Sequence, residues 1–291
     1  MAGVVTVTVT DAGDLVVTGD GQANQVTIFQ EVTQGVPITG SYFIAGQNGT
    51  TITGTDPTHP GYIGNVTDDI LINLNGNNDR LTVGDGFDGH FIVPNDLVIS
   101  MGGGADVVTI DRIAVRDDAT ILTGDGNDSV SFKGTVGGLA GVDGGNNDLT
   151  IFTGARADNV RLENTFVRRN LTINTGTDAF GDVVDMLFAN VGNDTNISTG
   201  GGSDIVRLSD VGFNDDLTIN TGAGNDSVTL NRCEVDEIFA NLGSGNDTLG
   251  LRDTFGNRAT LNGGIGTDTL ARINSPFSVP SLPRSFERIL S

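Results

Sequence analysis

One short sequence unit recurs along almost the whole chain, and it limits the possible folds more than any other feature. The unit is clearest in residues 216–230, DLTINTGAGNDSVTL, where apolar residues two apart flank a Gly-x-Gly-Asn-Asp turn. Ten copies align on the last residue of this turn, a set called here the turn column: Asn24, Asp79, Asp106, Asp128, Asp158, Asp182, Asp204, Asp226, Asp247 and Asp268. From Asp182 onward the copies lie 22, 22, 21 and 21 residues apart. A fixed period of this length predicts a solenoid, in which each repeat covers the apolar face of its neighbours.

Each copy contains two short segments with alternating apolar and polar residues, the pattern of a β-strand with one buried face. In the clearest copy the apolar residues are Leu217, Ile219, Val228 and Leu230. A third apolar position follows the second segment in most copies: Ile113, Val136, Val167, Val191, Val211, Val235 and Phe255. No segment has the apolar spacing of an amphipathic helix. We therefore predict an all-β fold, a three-sided parallel β-helix of about 11 rungs, right-handed because parallel crossovers nearly always are.

The repeat covers residues 1–273, and we expect the β-helix to cover the same range, with residues 3–9 as an entry strand. Between Asn24 and Asp79 the spacing is 55 residues, so irregular N-terminal rungs and a loop are expected within residues 30–68. One irregular rung is expected around Tyr42 to Gly54, and a protruding loop near residues 56–62, DPTHPGY. A Gly-rich bulge is expected at residues 137–147.

The last residues, 274–291, break the period and contain three prolines. We expect them to form a C-terminal cap, with Phe277, Phe286, Ile289 and Leu290 covering the core of the bottom rung. The strands at the two ends of such a stack have unpaired edges, so end-to-end self-association is also expected.

The chain is strongly acidic, with 37 acidic and 15 basic residues and a formal net charge of −22. Phosphate binding needs dense Lys and Arg, so nucleic acid and anionic membranes are excluded as partners. No apolar run approaches the roughly 20 residues of a membrane-spanning helix. Cys233 is the only cysteine, and its place beside Val235 indicates a core residue. The Gly/Asn/Asp/Thr-rich composition favours a secreted or cell-surface protein whose leader is not part of this sequence.

A second acidic column, the entry column, precedes the first strand of each repeat: Asp14, Asp69, Asp96, Asp118, Asp148, Asn170, Asp194, Asp216, Glu237 and Arg258. We expect both columns on the surface, where like charges about 4.8 Å apart repel by about 0.9 kcal/mol in water and about 3.5 kcal/mol at an effective dielectric of 20. Two arrangements could offset this repulsion. Each acid could cap its own turn by accepting backbone N–H bonds, a role that Asn24 fills equally well. Alternatively, neighbouring rungs could share Ca²⁺, which takes 6 to 8 oxygen ligands.

The turns at residues 199–207, 221–229, 242–250 and 263–271 resemble the calcium-binding nonapeptide of RTX proteins, GGxGxDxUx. This resemblance implies calcium held by glycine carbonyls and by Asp106, Asp128, Asp204, Asp226, Asp247 and Asp268. It also fits a secreted protein, since secreted toxins, proteases and surface proteins carry such repeats. The RTX roll has two nonapeptides per turn, whereas this chain has one in each repeat of 21 or 22 residues. The resemblance therefore implies a β-helix relative of the RTX roll.

The outward positions of the first strand are rich in Thr and Asn, as in Thr150, Thr172, Thr218 and Asn220. Such an array could bind ice or a flat polysaccharide, or could be ordinary polar surface of a stacked sheet. Catalytic candidates are few: the histidines are His59 and His90, and the DPTH segment at 56–59 only faintly resembles the DPH tripeptide of epimerases. We expect a non-enzymatic structural or adhesive module whose partners are Ca²⁺ and a polysaccharide or cell-surface matrix. The alternative is a carbohydrate-active β-helix enzyme: a polysaccharide lyase, hydrolase or epimerase.

Overall fold

The computed structural model describes residues 3–33, 36–55, 57–84, 91–134, 140–142, 147–279 and 284–290. Within these ranges every regular element is a β-strand, as predicted. Consequently the described residues include no helix with the length and apolarity needed to cross a membrane.

The strands are numbered in chain order. The first sixteen are β1 Val4–Val9, β2 Leu15–Gly19, β3 Gln25–Thr33, β4 Val36–Gly46, β5 Thr51–Thr53, β6 Tyr62–Ile63, β7 Ile70–Asn73, β8 Arg80–Val83, β9 Phe91–Val93, β10 Leu97–Ser100, β11 Val107–Asp111, β12 Ile113–Val115, β13 Ala119–Leu122, β14 Ser129–Lys133, β15 Ala140–Val142 and β16 Leu149–Phe152. The others are β17 Asn159–Glu163, β18 Thr165–Val167, β19 Leu171–Asn174, β20 Val183–Leu187, β21 Asn190–Val191, β22 Thr195–Ser198, β23 Ile205–Ser209, β24 Gly212–Phe213, β25 Leu217–Asn220, β26 Ser227–Asn231, β27 Glu237–Asn241, β28 Thr248–Arg252, β29 Gly256–Asn262, β30 Thr269–Ile273, β31 Phe277–Val279 and β32 Arg288–Leu290.

These strands form three sheets. The first sheet has the order β31-β29-β27-β25-β22-β19-β16-β13-β10-β7-β2-β1-β5, the second β32-β30-β28-β26-β23-β20-β17-β14-β11-β8-β3-β4-β6, and the third β24-β21-β18-β15-β12-β9. Neighbours in the repeating part pair in parallel, so that Thr195 lies opposite Leu217 and Leu217 opposite Ile238. One sequence repeat is therefore one step along each sheet, which is the arrangement of a parallel β-helix.

Alternation within the short strands sends one set of side chains inside. Leu217, Ile219, Val228 and Leu230 are all 0 % exposed. Burying side chains of this size stabilises the fold by about 1.5 to 3 kcal/mol each before entropy is subtracted. Because every rung places its apolar residues at the same phase, the buried residues form one continuous core along the body.

The predicted third apolar position is buried in most rungs but not in the last one. Ile113, Val167, Val191, Val211 and Val235 are 0 to 3 % exposed, whereas Phe255 is 46 % exposed and Val136 lies outside the described residues. Thr254 is buried in place of Phe255, and Phe255 instead pairs with the exposed Glu234. The prediction failed by one position because adjacent residues of a strand face opposite sides.

The N-terminal end differs from the expected irregular rungs. β1 runs antiparallel to β2, with Val7 opposite Val17, and β4 runs antiparallel to both β3 and β6. The segment around Tyr42 to Gly54 is therefore a hairpin strand and a short strand, β5, that joins the edge of the first sheet. Alternating apolar residues predict a strand but not its direction, which explains the difference. The loop near residues 56–62 leads into β6, and Asp56 lies outside the described residues.

Two further segments differ from expectation in part. Of the Gly-rich stretch 137–147, residues 140–142 form β15 in the third sheet, and 137–139 and 143–146 lie outside the described residues. In the C-terminal segment, Phe277 and Phe286 pack against the core as expected. Ile289 and Leu290 are both 58 % exposed, because β32 pairs with β30 and, among the described residues, no strand lies beyond it.

Candidate functional site

The residues of the turn column point into the body and not onto its surface, which corrects the sequence-based expectation. All ten are between 0 and 3 % exposed. The six predicted metal ligands Asp106, Asp128, Asp204, Asp226, Asp247 and Asp268 all belong to this buried row, with Asp158 and Asp182 between them. Burial of so many carboxyls requires compensating contacts, since an unpaired buried charge is strongly unfavourable.

The compensating contact is a hydrogen bond from one rung to the next. The main-chain N–H of each turn residue donates to Oδ1 of the following turn acid, for example from Asp204 to Asp226 and from Asp226 to Asp247, both at 2.8 Å. The series begins with Asn24 donating to Asp79 at 2.6 Å. It ends with Asp268 donating to Oε2 of Glu287 at 2.6 Å. The column is thus an unbroken ladder that uses one oxygen of every carboxyl.

The glycines of the turn also serve rung-to-rung contacts. The carbonyls of Gly200 and Gly222 accept the N–H groups of Ala223 and Ser244 at 2.9 and 2.7 Å. A Cβ atom at Gly224, where φ is 136°, would lie only 1.4 Å from the carbonyl oxygen of Gly202. The turns therefore stack too closely for a side chain at this position. Close stacking alone accounts for the glycine, so its presence does not require a bound metal.

The second carboxyl oxygen has a different environment. Oδ2 is buried and has no hydrogen-bond partner within the protein in eight of the turn acids: Asp79, Asp106, Asp128, Asp158, Asp204, Asp226, Asp247 and Asp268. In the remaining one, Asp182, Oδ2 accepts a 2.6 Å hydrogen bond from the hydroxyl of Thr175. Thr175 belongs to a buried threonine column that follows the first strand of five successive rungs: Thr123, Thr153, Thr175, Thr199 and Thr221.

Burial dominates the electrostatics of the turn column. It raises the pKa of Asp79 and Asp158 to about 7 and that of Asp106, Asp182, Asp204 and Asp247 to about 6. It also raises the pKa of Asp128 and Asp226. The ladder hydrogen bonds act in the opposite direction, and so do the hydroxyls of the threonine column beside Asp128, Asp158, Asp182, Asp204 and Asp226, because a hydrogen-bond donor favours the ionised form.

This donor set does not fit the calcium site that the nonapeptide resemblance implies. Ca²⁺ takes 6 to 8 oxygens. Oδ1 of each turn acid already accepts an N–H group, and glycine carbonyls such as those of Gly200 and Gly222 do so as well. In most rungs one buried carboxyl oxygen remains without a hydrogen-bond partner, so two neighbouring rungs together offer two such carboxyl oxygens, fewer than the number of ligands that Ca²⁺ takes. Calcium at the six predicted turn acids stays a prediction that the geometry does not favour.

Between Asp69 and Asn170 the entry column is a second ladder, and it runs in the opposite direction. The N–H groups of Asp118 and Asp148 donate back to Oδ1 of Asp96 and Asp118, both at 2.9 Å. At two places, acids of this column and their sequence neighbours form a triad of carboxyls with oxygens within 4.8 Å of one another. One triad is Asp14, Asp68 and Asp69, and the other is Asp194, Asp215 and Asp216. Burial, together with neighbouring carboxyls such as Asp215 and Glu237, raises the pKa of Asp216. These half-buried and exposed triads are the described residues best able to hold a cation.

A trough lies along the third strand positions of the last rungs. Its volume is about 590 Å³, and its lining includes Asn190, Gly212, Glu234, Asp236 and Phe255. A second hollow of about 530 Å³ adjoins it and shares Gly212, Glu234 and Phe255. Amide and carboxylate groups beside one exposed aromatic ring form a surface suited to hydrogen bonding and stacking with a sugar.

No protein-family model, curated protein or solved structure matched the chain.

The Thr/Asn face is in register as predicted. Thr150 lies opposite Thr172, and Asn220 opposite Asn241. Nδ2 of Asn262 donates to Oδ1 of Asn241 at 2.8 Å, so part of this polar array is a side-chain ladder within the sheet. Phe152, which interrupts the array, is 39 % exposed.

The DPTH segment does not acquire a catalytic setting from its described residues. His59 lies on the exposed loop before β6, with its ring 6.5 Å from that of Tyr62. His90 and Asp56 lie outside the described residues.

Sequence reasoning missed the threonine column and the role of Glu287. A signal for the first was present, because Thr stands five residues before the turn acid in four copies, as in Thr221 and Asp226. A conserved offset to a small hydroxyl residue fits a buried turn better than an exposed one.

Proposed function

We propose that the chain is a non-enzymatic structural and adhesive module of a secreted or surface-displayed protein. It is built as a right-handed, three-sided parallel β-helix of about eleven rungs, related to the RTX roll in its turns. The main support is that polar groups recur at the same positions in successive rungs: the turn column repeats one hydrogen bond along the body, the entry column does so between Asp69 and Asn170, and the Thr/Asn face keeps its register. Catalysis instead needs different groups that converge on one reacting atom.

Adhesion is assigned to the trough around Glu234 and Phe255. Glu234, Asp236, Asp210 and Asp253 outnumber Arg232 in the two hollows, so the surface is acidic. It suits a neutral or amino-sugar polysaccharide and disfavours an anionic one. The exposed ring of Phe255 provides a face on which a sugar can stack.

Co-sedimentation with insoluble neutral and amino-sugar polysaccharides tests this assignment. Phe255→Ala should lower the bound fraction several-fold. Phe188→Ala is the matched control, because Phe188 is 55 % exposed but outside the trough, and binding should be unchanged. Equal binding by the wild type and both variants would remove the trough as the adhesive site.

The alternative, a carbohydrate-active enzyme, is supported by one observation: two carboxyl residues, Glu234 and Asp236, line the same trough. Nδ2 of Asn257 donates to Oδ1 of Asp236, which fixes one of them. Release of reducing ends or unsaturated products from polysaccharides, abolished by Glu234→Gln, would support the enzyme. Binding without product release supports the adhesive module.

Calcium stabilisation is assigned to the entry-column triads and not to the turn column. A ligand that binds only the folded state raises the melting temperature. We expect Tm to fall in EGTA for the wild type and to fall by less in the double variant Asp215→Asn, Asp216→Asn, which keeps only the triad of Asp14, Asp68 and Asp69. Asp125→Asn removes one exposed charge from a turn without touching a triad and should respond like the wild type. If the Tm of the wild type changes neither in EGTA nor with added Ca²⁺, this assignment is wrong.

End-to-end association is proposed for the C-terminal end of the body, together with partial capping by residues 274–291. β32 presents an open strand edge, and its residues Ile289 and Leu290 are exposed. Sedimentation velocity should detect dimers or chains of molecules in the wild type. The variant Ile289→Lys, Leu290→Lys should be monomeric, and equal association of the two proteins would exclude this end.

A further inference from the structure

We propose that the turn column takes up protons in place of calcium, so that its buried acids from Asp79 to Asp247 are neutral carboxylic acids in the folded protein at mildly acidic pH. Because the turn fits calcium poorly, the cost of burying so many charged carboxyls must be offset in another way. The inference is independent of the proposed adhesive function, because it concerns the interior of the body.

Hydrogen-bond geometry leaves room for one proton on each acid. Oδ1 accepts the N–H of the preceding rung, while Oδ2 is buried and has no hydrogen-bond partner of good geometry in eight of the nine acids. In four of these eight, Asp128, Asp158, Asp204 and Asp226, a hydroxyl of the threonine column lies beside the carboxyl. A bare carboxylate oxygen in this position would be desolvated without compensation. A protonated Oδ2 becomes a donor, and the carboxyl then loses its charge.

The threonine column can accept that proton's hydrogen bond. The hydroxyls of Thr123 and Thr221 donate to the next rung's carbonyls, at Thr153 (3.1 Å) and Leu242 (2.8 Å). Such a hydroxyl cannot donate to the neighbouring carboxyl at the same time, but it can accept from Oδ2–H. In the Thr175 rung, the hydroxyl and Oδ2 of Asp182 are already 2.6 Å apart.

The first residue of the column has a neutral side chain. Asn24 is 0 % exposed, and its Nδ2 donates to the carbonyl of Gln22 at 2.8 Å. Its main-chain N–H joins the same ladder through Oδ1 of Asp79. The side-chain NH₂ of Asn24 takes the position that a protonated Oδ2 would take in a turn acid.

The charged groups that act on the turn acids are all carboxyls. Neighbouring turn acids act on one another along the column. Outside the column they are Asp20 beside Asp79, Asp125 beside Asp128 and Asp178 beside Asp182. Each neighbour favours the neutral form, in the same direction as burial, which already raises the pKa of Asp204 to about 6.

The sign of the pH effect follows from linkage. A folded-state pKa above that of the unfolded chain means that the folded protein binds more protons between the two values. The contribution of these acids to stability is therefore complete below about pH 4 and declines as the pH rises through 6 to 7. This is opposite to the usual behaviour of carboxyls in ion pairs.

Thermal unfolding of the wild type and of Asp226→Asn at pH 4.5, 6 and 8, in EGTA, tests the proposal. The amide keeps the acceptor for Asp204 and mimics the neutral acid, so the variant should match the wild type at pH 4.5 and melt several degrees higher at pH 8. Asp148→Asn in the entry column removes the same charge and keeps an acceptor for the N–H of Asn170. Of the two variants, only Asp226→Asn is expected to melt several degrees above the wild type at pH 8.

Carboxyl ¹³C NMR titration of the folded wild type gives a second measurement that needs no variant. Several aspartates should titrate near pH 6 to 7, clearly separated from exposed ones. The proposal is overturned if all aspartates titrate near pH 4, or if Asp226→Asn melts below the wild type at pH 8. It is equally overturned if added Ca²⁺ raises the wild-type Tm at pH 8 and this increase is lost in Asp226→Asn.

Discussion

The main-chain N–H of Asp204 donates to Oδ1 of Asp226, a residue 22 positions later, at 2.8 Å. Each turn acid is thus a donor to the following rung through its backbone and an acceptor from the preceding rung through its side chain. The contact links the sequence period directly to the spacing of the rungs, so changes to one turn act on two rungs.

The close stacking of the turns predicts a severe effect of Gly224→Ala. The new Cβ would meet the carbonyl oxygen of Gly202 at 1.4 Å, at a residue whose φ is 136°. We expect a loss of at least about 2 kcal/mol in the free energy of unfolding, measured by urea denaturation. Gly21→Ala is the control, since nothing lies within 4 Å of its Cβ position. That variant should stay within about 0.5 kcal/mol of the wild type, and equal losses would contradict the steric argument.

The end of the ladder predicts a local effect of Glu287→Ala. Asp268 would lose the acceptor that now lies 2.6 Å from its N–H. Stability should fall by about 1 kcal/mol or less, because Glu287 is exposed. Hydrogen exchange should accelerate at the Asp268 amide and in β32. Glu287→Gln keeps an oxygen acceptor and should exchange like the wild type, so identical behaviour of the two variants would exclude the ladder contact.

The ion pair between Arg232 and Asp210 predicts a pH dependence of ordinary sign. The guanidinium donates two hydrogen bonds to the carboxylate, at 2.6 and 2.5 Å, and holds the pKa of Asp210 below its usual value. Such a group stabilises the fold above the unfolded-state pKa of about 4, and this contribution is lost as the pH falls through the folded-state value. Arg232→Ala should move the Asp210 midpoint upward in a carboxyl ¹³C titration. An unchanged midpoint would mean that the pair does not form in solution.

The single thiol predicts a simple test of core integrity. Cys233 is 1 % exposed, and burial raises its pKa to about 11. Only the thiolate reacts with alkylating agents, so iodoacetamide at pH 8 should label the folded protein far more slowly than the urea-unfolded chain. Mass spectrometry over a time course measures both rates. Equal rates would place Cys233 outside the core.

The repeating body could be predicted from the sequence, because its causes are local and repeated. Leu217, Ile219, Val228 and Leu230 stand two apart in short β-rich segments, and all four are buried. Errors arose where the same local pattern permits more than one arrangement. The prediction placed Phe255 in the core, but the neighbouring Thr254 is buried and Phe255 is exposed. The hairpin strand β4 has the same alternation as a rung strand but runs antiparallel to its neighbour β3.

The orientation of the turn acids could not be predicted from single-residue preferences. A carboxyl such as Asp226 is normally exposed, and only the N–H of the preceding rung, 22 residues earlier, makes its burial tolerable. This partner becomes visible only once the rungs are stacked. Thr221, at a fixed offset from Asp226, was the available indication that the turn faces inward.

The two ladders have opposite directions, and this has a consequence for how the chain folds as it is made. In the entry column the N–H of a new rung finds its acceptor in the rung before it, as Asp118 does in Asp96. In the turn column the acceptor of each N–H is the carboxyl of the next rung, which is synthesised later; the N–H of Asp204, for example, pairs with Asp226. During synthesis, a new rung can therefore form its entry-column hydrogen bond with the rung before it at once. Its turn-column hydrogen bond forms only when the next rung has been synthesised. We expect the youngest rung on the ribosome to be docked at its entry but unlocked at its turn, so that folding advances one rung behind synthesis.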